Sequence, residues 1–293
     1  MWFNQVKTAF LLGAMSGLLM LIGGLFGGMS GVIVFFVISL IMNGFAYFFS
    51  DKMVLTMYKA KPLDQSTHGW IYDIVSELTT TSGLPMPKLW MVDTPMANAF
   101  ATGRNPKHSS VAVTSGILSI LDPQELRGVL AHEISHIKNR DILISTVAAT
   151  MATAIGFLAN MMQNMAFWGT LSQSSNDRRS INPLVLLVVA ILMPIAASLI
   201  QLAISRSREY LADESGAEVS HDPLALASAL EKLEMRAQQT HFADNDTTHA
   251  TTAHLFIVKP FSGKGLSSLF STHPPMQNRV ARLRALYEKM MNL

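Results

Sequence analysis

Residues 123–141 read Pro-Gln-Glu-Leu-Arg-Gly-Val-Leu-Ala-His-Glu-Ile-Ser-His-Ile-Lys-Asn-Arg-Asp, and the rest of the chain has to be arranged around them. Asp122, Pro123 and Glu125 form a helix start: an N-cap carboxylate, a first-turn proline whose missing N–H has no helical partner to lose, and a capping-box acid. Leu126, Val129, Leu130, Ile134 and Ile137 then recur at helical spacing. On such a helix His132 and His136 share one face with Cβ atoms about 5–6 Å apart, so both imidazoles reach one metal ion at ~2.0–2.1 Å. Glu133, beside the first histidine, is placed to take a proton from a metal-bound water. No proline stands between this helix and the apolar run that begins at Ile142, so the helix is free to continue into it.

That apolar run is one of four. Phe10 to Phe26, Gly31 to Phe49, Ile142 to Trp168 and Pro183 to Ile204 contain no Asp, Glu, Lys or Arg, and each is close to the ~20 residues that cross a bilayer as a helix. A chain of 293 residues that is 49% hydrophobic and 14% charged fits a membrane protein better than a soluble one. The first run lacks an A-x-A-like cleavage site before a mature polar domain, and a second run follows within a few residues, so the pair reads as an anchor hairpin turning at Gly27 to Ser30 rather than a secretion signal. Lys7, Lys52, Lys59, Lys61, Arg127, Lys138, Arg140, Arg206 and Arg208 all fall on one face of a four-span topology, and the positive-inside rule makes that face cytoplasmic. Gly169 to Asn182 is then external despite Arg178 and Arg179, a small contradiction outweighed by the count on the other face.

The domain division follows: a transmembrane hairpin over 1–50, a first cytoplasmic block over 51–141, spans three and four over 142–204, and a second cytoplasmic block over 205–293. In the first block the spacing predicts a helix over Gly69 to Thr81, ended by Gly83, Pro85 and Pro87. Short β-rich runs follow at Lys88 to Val92, Asn98 to Thr102 and Ser110 to Thr114, with turns at Asp93-Thr94-Pro95 and Gly103-Arg104-Asn105-Pro106. The second block opens with a helix over Ser205 to Glu218. Another helix follows Asp222-Pro223, then a polar loop over His241 to His254 and a C-terminal helix from Pro275 to Met290. With no cysteine, disulfides and thiolate chemistry are excluded, and a net charge of +2 gives no footprint for nucleic acid.

A catalytic zinc ordinarily has three protein ligands and an open position. Arg208-Glu209-Tyr210-Leu211-Ala212-Asp213 offers Glu209 as the third ligand, with Asp213 one turn on and placed to accept the second ring N–H of a ligand histidine. His136 stands six residues before Ile142 and Glu209 five after Ile204, about 9 and 7.5 Å along a helix. Antiparallel spans therefore deliver both ligands to about the same height at the membrane surface. The remaining histidines, His68, His108, His221, His241, His249 and His254, are isolated or lie in the polar loop and read as non-ligands.

These residues, with Asn98-Ala99-Phe100-Ala101-Thr102-Gly103, Asn139, Asp141 and Thr272-His273-Pro274-Pro275 followed by Arg279, resemble the HtpX group of bacterial heat-shock membrane metalloproteases, relatives of the CAAX prenyl endopeptidases. The resemblance covers nearly the whole chain. It implies a mainly α membrane protein with four transmembrane helices and a cytoplasmic zincin-like α+β protease domain with a small β-sheet. It also implies one Zn2+ per chain, and location in the bacterial inner membrane with the active site on the cytoplasmic face. The substrates implied are misfolded or misassembled membrane proteins. By the same resemblance His132, His136 and Glu209 hold zinc and Glu133 is the base. Asp213, Asp141 and Asn139 support the ligands, and Asn98, Ala99, Phe100 and Ala101 form an edge strand that receives an extended substrate. His273 and Arg279 approach the site to stabilise the oxyanion, or are an ordinary loop histidine and helix-capping arginine. A membrane chaperone with structural zinc and a prenyl-peptide processing protease are the competing functions; oligomeric state is not indicated.

Overall fold

The structure, a computed structural model, describes residues 2–147, 206–239 and 274–292. Its first helix, α1 (Trp2–Met57), folds back on itself at Gly28, whose φ of 56° with ψ of −142° suits only glycine. Two contacts hold the arms antiparallel. Asn43 Nδ2 donates to Leu12 O at 3.2 Å and to Ser16 Oγ at 2.8 Å, and Gly23 and Gly31 approach so closely that a side chain at Gly31 would strike the Gly23 carbonyl. This is the hairpin expected at Gly27 to Ser30. Among the described residues Gly27–Phe49 is the helix long and apolar enough to cross a membrane, and Val6–Leu21 is a shorter apolar helix. The two later apolar runs fall outside the described residues except for 142–147.

Beyond the hairpin, β1 (Lys61–Pro62), β2 (Lys88–Val92), β3 (Ala99–Asn105) and β4 (His108–Thr114) form a mixed sheet in the order β1-β2-β4-β3, with β2 parallel to β4 and the other pairs antiparallel. β2 has the expected bounds. β3 and β4 are longer than the sequence predicts, because the expected turn at Gly103 to Pro106 is mostly strand. Gly103, at φ 141°, takes a bulge between Gly103 and Asn105 where a Cβ would collide with the His108 carbonyl. The turn itself is at residues 106–107, closed by His108 N donating to Asn105 Oδ1 at 3.0 Å.

α2 (Gln65–Ser82) starts one turn earlier than its apolar pattern, at an Asp64 cap, and ends at left-handed Gly83. A short α3 (Ser115–Leu118) leads to α4 (Pro123–Lys138). Asp122 Oδ1 accepts from Gln124 N and Glu125 N at 2.9 Å, and Glu125 Oε2 returns to Asp122 N at 3.0 Å, completing the predicted capping box. α4 does not continue into the next apolar run. It stops at Asn139, Arg140 turns the chain with φ 57°, and a new helix, α5, begins at residue 142. Neither residue is a conventional breaker, so the pattern carried no warning of it.

α6 (Arg206–Ser220), α7 (Pro223–Gln239) and α8 (Met276–Met291) complete the described fold. α4 is central. Leu126, Val129, Leu130, Ile134 and Ile137 are packed among Ile71, Val75 and Leu78 of α2, the Ala99, Ala101, Val111 and Val113 side of the sheet, and Leu226, Leu230 and Leu233 of α7. The opposite side of the sheet, with Phe100 and Ala112, packs on Val54 and Leu55 at the end of α1. Two glycines permit close helix crossings: a Cβ at Gly128 would meet the Leu226 backbone, and one at Gly216 the backbone of His132.

Candidate active site

The Gly216 crossing lays the first turn of α6 across the face of α4 that carries the histidines. His132 Nε2 and His136 Nε2 stand 3.1 Å apart, with Glu209 Oε2 3.8 Å from the first and Glu209 Oε1 3.7 Å from the second. One ligand atom from each residue falls within 4.8 Å of the others, a group of the size that closes on a single ion. Two imidazoles and one carboxylate are the donor set of a catalytic zinc.

Each histidine is oriented from behind. His132 Nδ1 lies 3.0 Å from Asp213 Oδ1, and His136 Nδ1 lies 3.1 Å from Asp141 Oδ2. Carboxylates so placed hold the ring and raise its basicity as a ligand. The turn that ends α4 at Asn139 brings Asp141 back to His136. Asn139 itself donates its backbone N–H to Ser135 O at 2.9 Å, and among the described residues its side chain makes no hydrogen bond to either histidine. Asp213 in turn receives Arg279 in a two-point pair, Nε to Oδ2 at 2.7 Å and Nη2 to Oδ1 at 2.6 Å. Arg279 is fully buried, and its Nη1 stands 3.7 Å from Glu209 Oε2. The structure thus places Arg279 behind the ligands as the counter-ion of Asp213. His273 lies outside the described residues.

The electrostatics favour a cation at the centre. Burial opposes a charge on His136, but Asp141, Glu209 and Glu133 outweigh it and lift the ring to about 9. Burial likewise acts to raise Asp213, yet Arg279 and His132 bring it below the usual carboxylate range. Glu133 goes the other way, raised because desolvation exceeds the stabilising pull of the histidines and of the Ala101 amide. With His136 protonated below about 9 in the metal-free protein, zinc must displace a proton. Zinc affinity is expected to rise by about tenfold per pH unit through neutrality for one displaced proton. Dissociation constants from chelator competition across that range check this, and a pH-independent constant contradicts it.

Glu133 sits between the histidines and the sheet, accepting from Ala101 N at 2.8 Å through Oε2. β3 is the outer strand of the sheet, as expected of an edge strand, but residues 98–103 are buried, packed against α1 and α4. Asn98 pairs through its backbone, accepting from Thr114 N at 3.0 Å and donating to Thr114 Oγ1 at 2.9 Å.

Gly216 was not foreseen as a site residue. An isolated glycine within a helix was the only available signal, and it marks close packing without naming a partner. Gly216→Ala is expected to push α6 off His132, to destabilise the fold by about 1–3 kcal/mol through overpacking, and to weaken zinc binding as Glu209 withdraws. Thermal unfolding and zinc competition measure both effects; a variant unchanged in both would contradict the assigned packing.

Comparison with known proteins points the same way. The profile of peptidase family M48 matches residues 65–287. The Protease HtpX homolog of Persephonella marina is 51% identical over 288 residues, 98% of this chain and 99% of that protein. The Protease HtpX homolog of Syntrophobacter fumaroxidans is 51% identical over 283 residues, 97% and 99% of the two chains. Among solved structures, S. mikatae Ste24p aligns with a TM-score of 0.51 at 19% identity over 96% of this chain, a likeness of fold alone; this chain spans 65% of that longer one.

Proposed function

For a chain that belongs to peptidase family M48 and, within it, to the HtpX proteases, we propose that this zinc-dependent membrane endopeptidase cleaves misfolded or damaged membrane proteins as part of a stress response. The observation that carries the chemistry is the convergence of His132, His136 and Glu209 with the Glu133 carboxylate beside them. His132, His136 and Glu209 would hold the zinc, which would supply Lewis acidity to acidify a water and polarise the scissile carbonyl.

The protein's own residues do the rest. Glu133 takes the water's proton as the oxygen attacks the carbonyl carbon, then delivers it to the departing amine. Burial raises Glu133 above the ordinary carboxylate range, the direction that favours its holding a proton between the two steps. Asp213 and Asp141 hold the histidine rings, and Arg279 holds Asp213. The extended substrate is received along Asn98 to Ala101, at the outer strand of the sheet. His273 approaches to stabilise the oxyanion.

We assign the protein to the bacterial inner membrane as a four-span protein with its site on the cytoplasmic face, divided as 1–50, 51–141, 142–204 and 205–293. The apolar surface of Gly27–Phe49 and the placement of Lys and Arg support this. Because the chain has no cysteine, a single Ser66→Cys reports sidedness. Labelling by an impermeant thiol reagent added to spheroplasts from outside would contradict a cytoplasmic site.

The activity is tested by reconstituting the zinc-loaded protein in liposomes with folded and unfolded versions of one membrane substrate. Cleavage of the unfolded version, stopped by chelator and restored by zinc, is expected. Binding of the unfolded version without cleavage would instead support a chaperone with structural zinc.

A further inference from the structure

The hydrogen bond from Ala101 N to Glu133 Oε2 joins residues 32 apart in sequence at 2.8 Å, and it occupies a group that the edge-strand reading would give to the substrate. Thr114 N donates to Asn98 O, and β3 pairs antiparallel with β4 in the register Ala99 to Val113. Backbone groups alternate in such a ladder. Those of Asn98, Phe100 and Thr102 therefore turn toward β4, and those of Ala99 and Ala101 turn to the outer side of the sheet. Among the outward groups the Ala101 N–H is already committed to Glu133. The side chains of Ala99 and Ala101 belong to the core shared with α4, and their small size lets the strand lie close enough to α4 for a backbone amide to reach the Glu133 carboxylate.

We infer that the Ala101 amide positions Glu133, fixing Oε2 so that Oε1 faces the reacting water, and that an incoming substrate pairs with β3 without using this N–H. The inference rests on Glu133 being the base. A glutamate carboxylate is free to rotate about three side-chain bonds, whereas an amide in a sheet is held by the ladder on either side of it. The strand that receives the substrate therefore also sets the orientation of the base. Ala101 acts through Glu133 and touches no reacting atom.

The test replaces Ala101 by lactic acid in the zinc-loaded protein, turning one amide into an ester, which deletes the N–H and weakens the Phe100 carbonyl as an acceptor. The same change is made at Ala99. Steady-state kinetics are measured on a fluorogenic unfolded peptide, with zinc content and unfolding temperature confirming intact protein. The Ala101 ester is expected to lower kcat by about tenfold or more with KM unchanged, and the Ala99 ester to raise KM. A raised KM with kcat preserved in the Ala101 ester would overturn the inference, because the amide would then belong to the substrate; so would two unchanged constants. Failure of the underlying reading is seen separately, as Glu133→Gln retaining turnover.

Discussion

Glu133→Gln is expected to bind about one zinc per chain and to turn over substrate roughly 10²- to 10⁴-fold more slowly than wild type, the range ascribed to a positioned general base. The metal ligands are untouched, and the amide of glutamine keeps an oxygen that can still accept from Ala101 N. Loss of the proton-accepting carboxylate is then the one chemical change. The substitution also relieves the desolvation that raises the Glu133 carboxyl, so stability is expected to hold or increase. Loss of activity without loss of zinc or fold would therefore isolate the proton transfer. Measured side by side, kcat, zinc content and unfolding temperature decide it. Retained turnover removes Glu133 from the mechanism, and lost zinc makes it a contributor to the metal site.

Arg279→Met is expected to cost about 3–5 kcal/mol of stability, because it leaves the buried Asp213 carboxylate without its counter-ion. Zinc affinity should fall by about 10- to 100-fold as His132 loses a firmly held partner. At saturating zinc, kcat should stay near wild type. If Arg279 also stabilised the oxyanion, kcat would fall by about 10²- to 10³-fold at saturating zinc, so kcat separates the two roles. Removing both partners, as in Arg279→Met with Asp213→Leu, should recover much of the lost stability while zinc affinity stays low. Chemical denaturation and zinc titration of the single and double variants give the comparison.

The features that could be read from the chain were those whose cause is local. Asp122, Pro123 and Glu125 specify a helix start within four residues, and the structure has it there. The hairpin turn follows from glycines between two apolar runs, and Gly28 makes it. His132, His136, Glu209 and Asp213 were found because helical spacing of three or four residues places side chains on one face.

What escaped the sequence depends on contacts between distant residues or on unremarkable residue types. α4 ends at Asn139 and Arg140 without glycine or proline, so the helix that was free to run on from His136 to Ile142 is broken, and the straight helical rise reckoned between those two residues does not apply. The ligands meet instead because Gly216 lets α6 cross α4 at His132. The partner of Arg279 lies 66 residues away, beyond any periodicity. Gly103 and its bulge carry the strands through what looked like a turn. The commitment of the Ala101 amide to Glu133 is a backbone contact, and side-chain patterns do not encode it.

X-ray absorption spectroscopy of the purified, zinc-loaded protein tests the central claim most directly. Two imidazole nitrogens and oxygen donors are expected around zinc, with one position open to an exchangeable water. The signal is expected to be lost in His132→Ala and His136→Ala and altered in Glu209→Gln. A closed shell of four protein donors, or a spectrum unchanged by these substitutions, would contradict it.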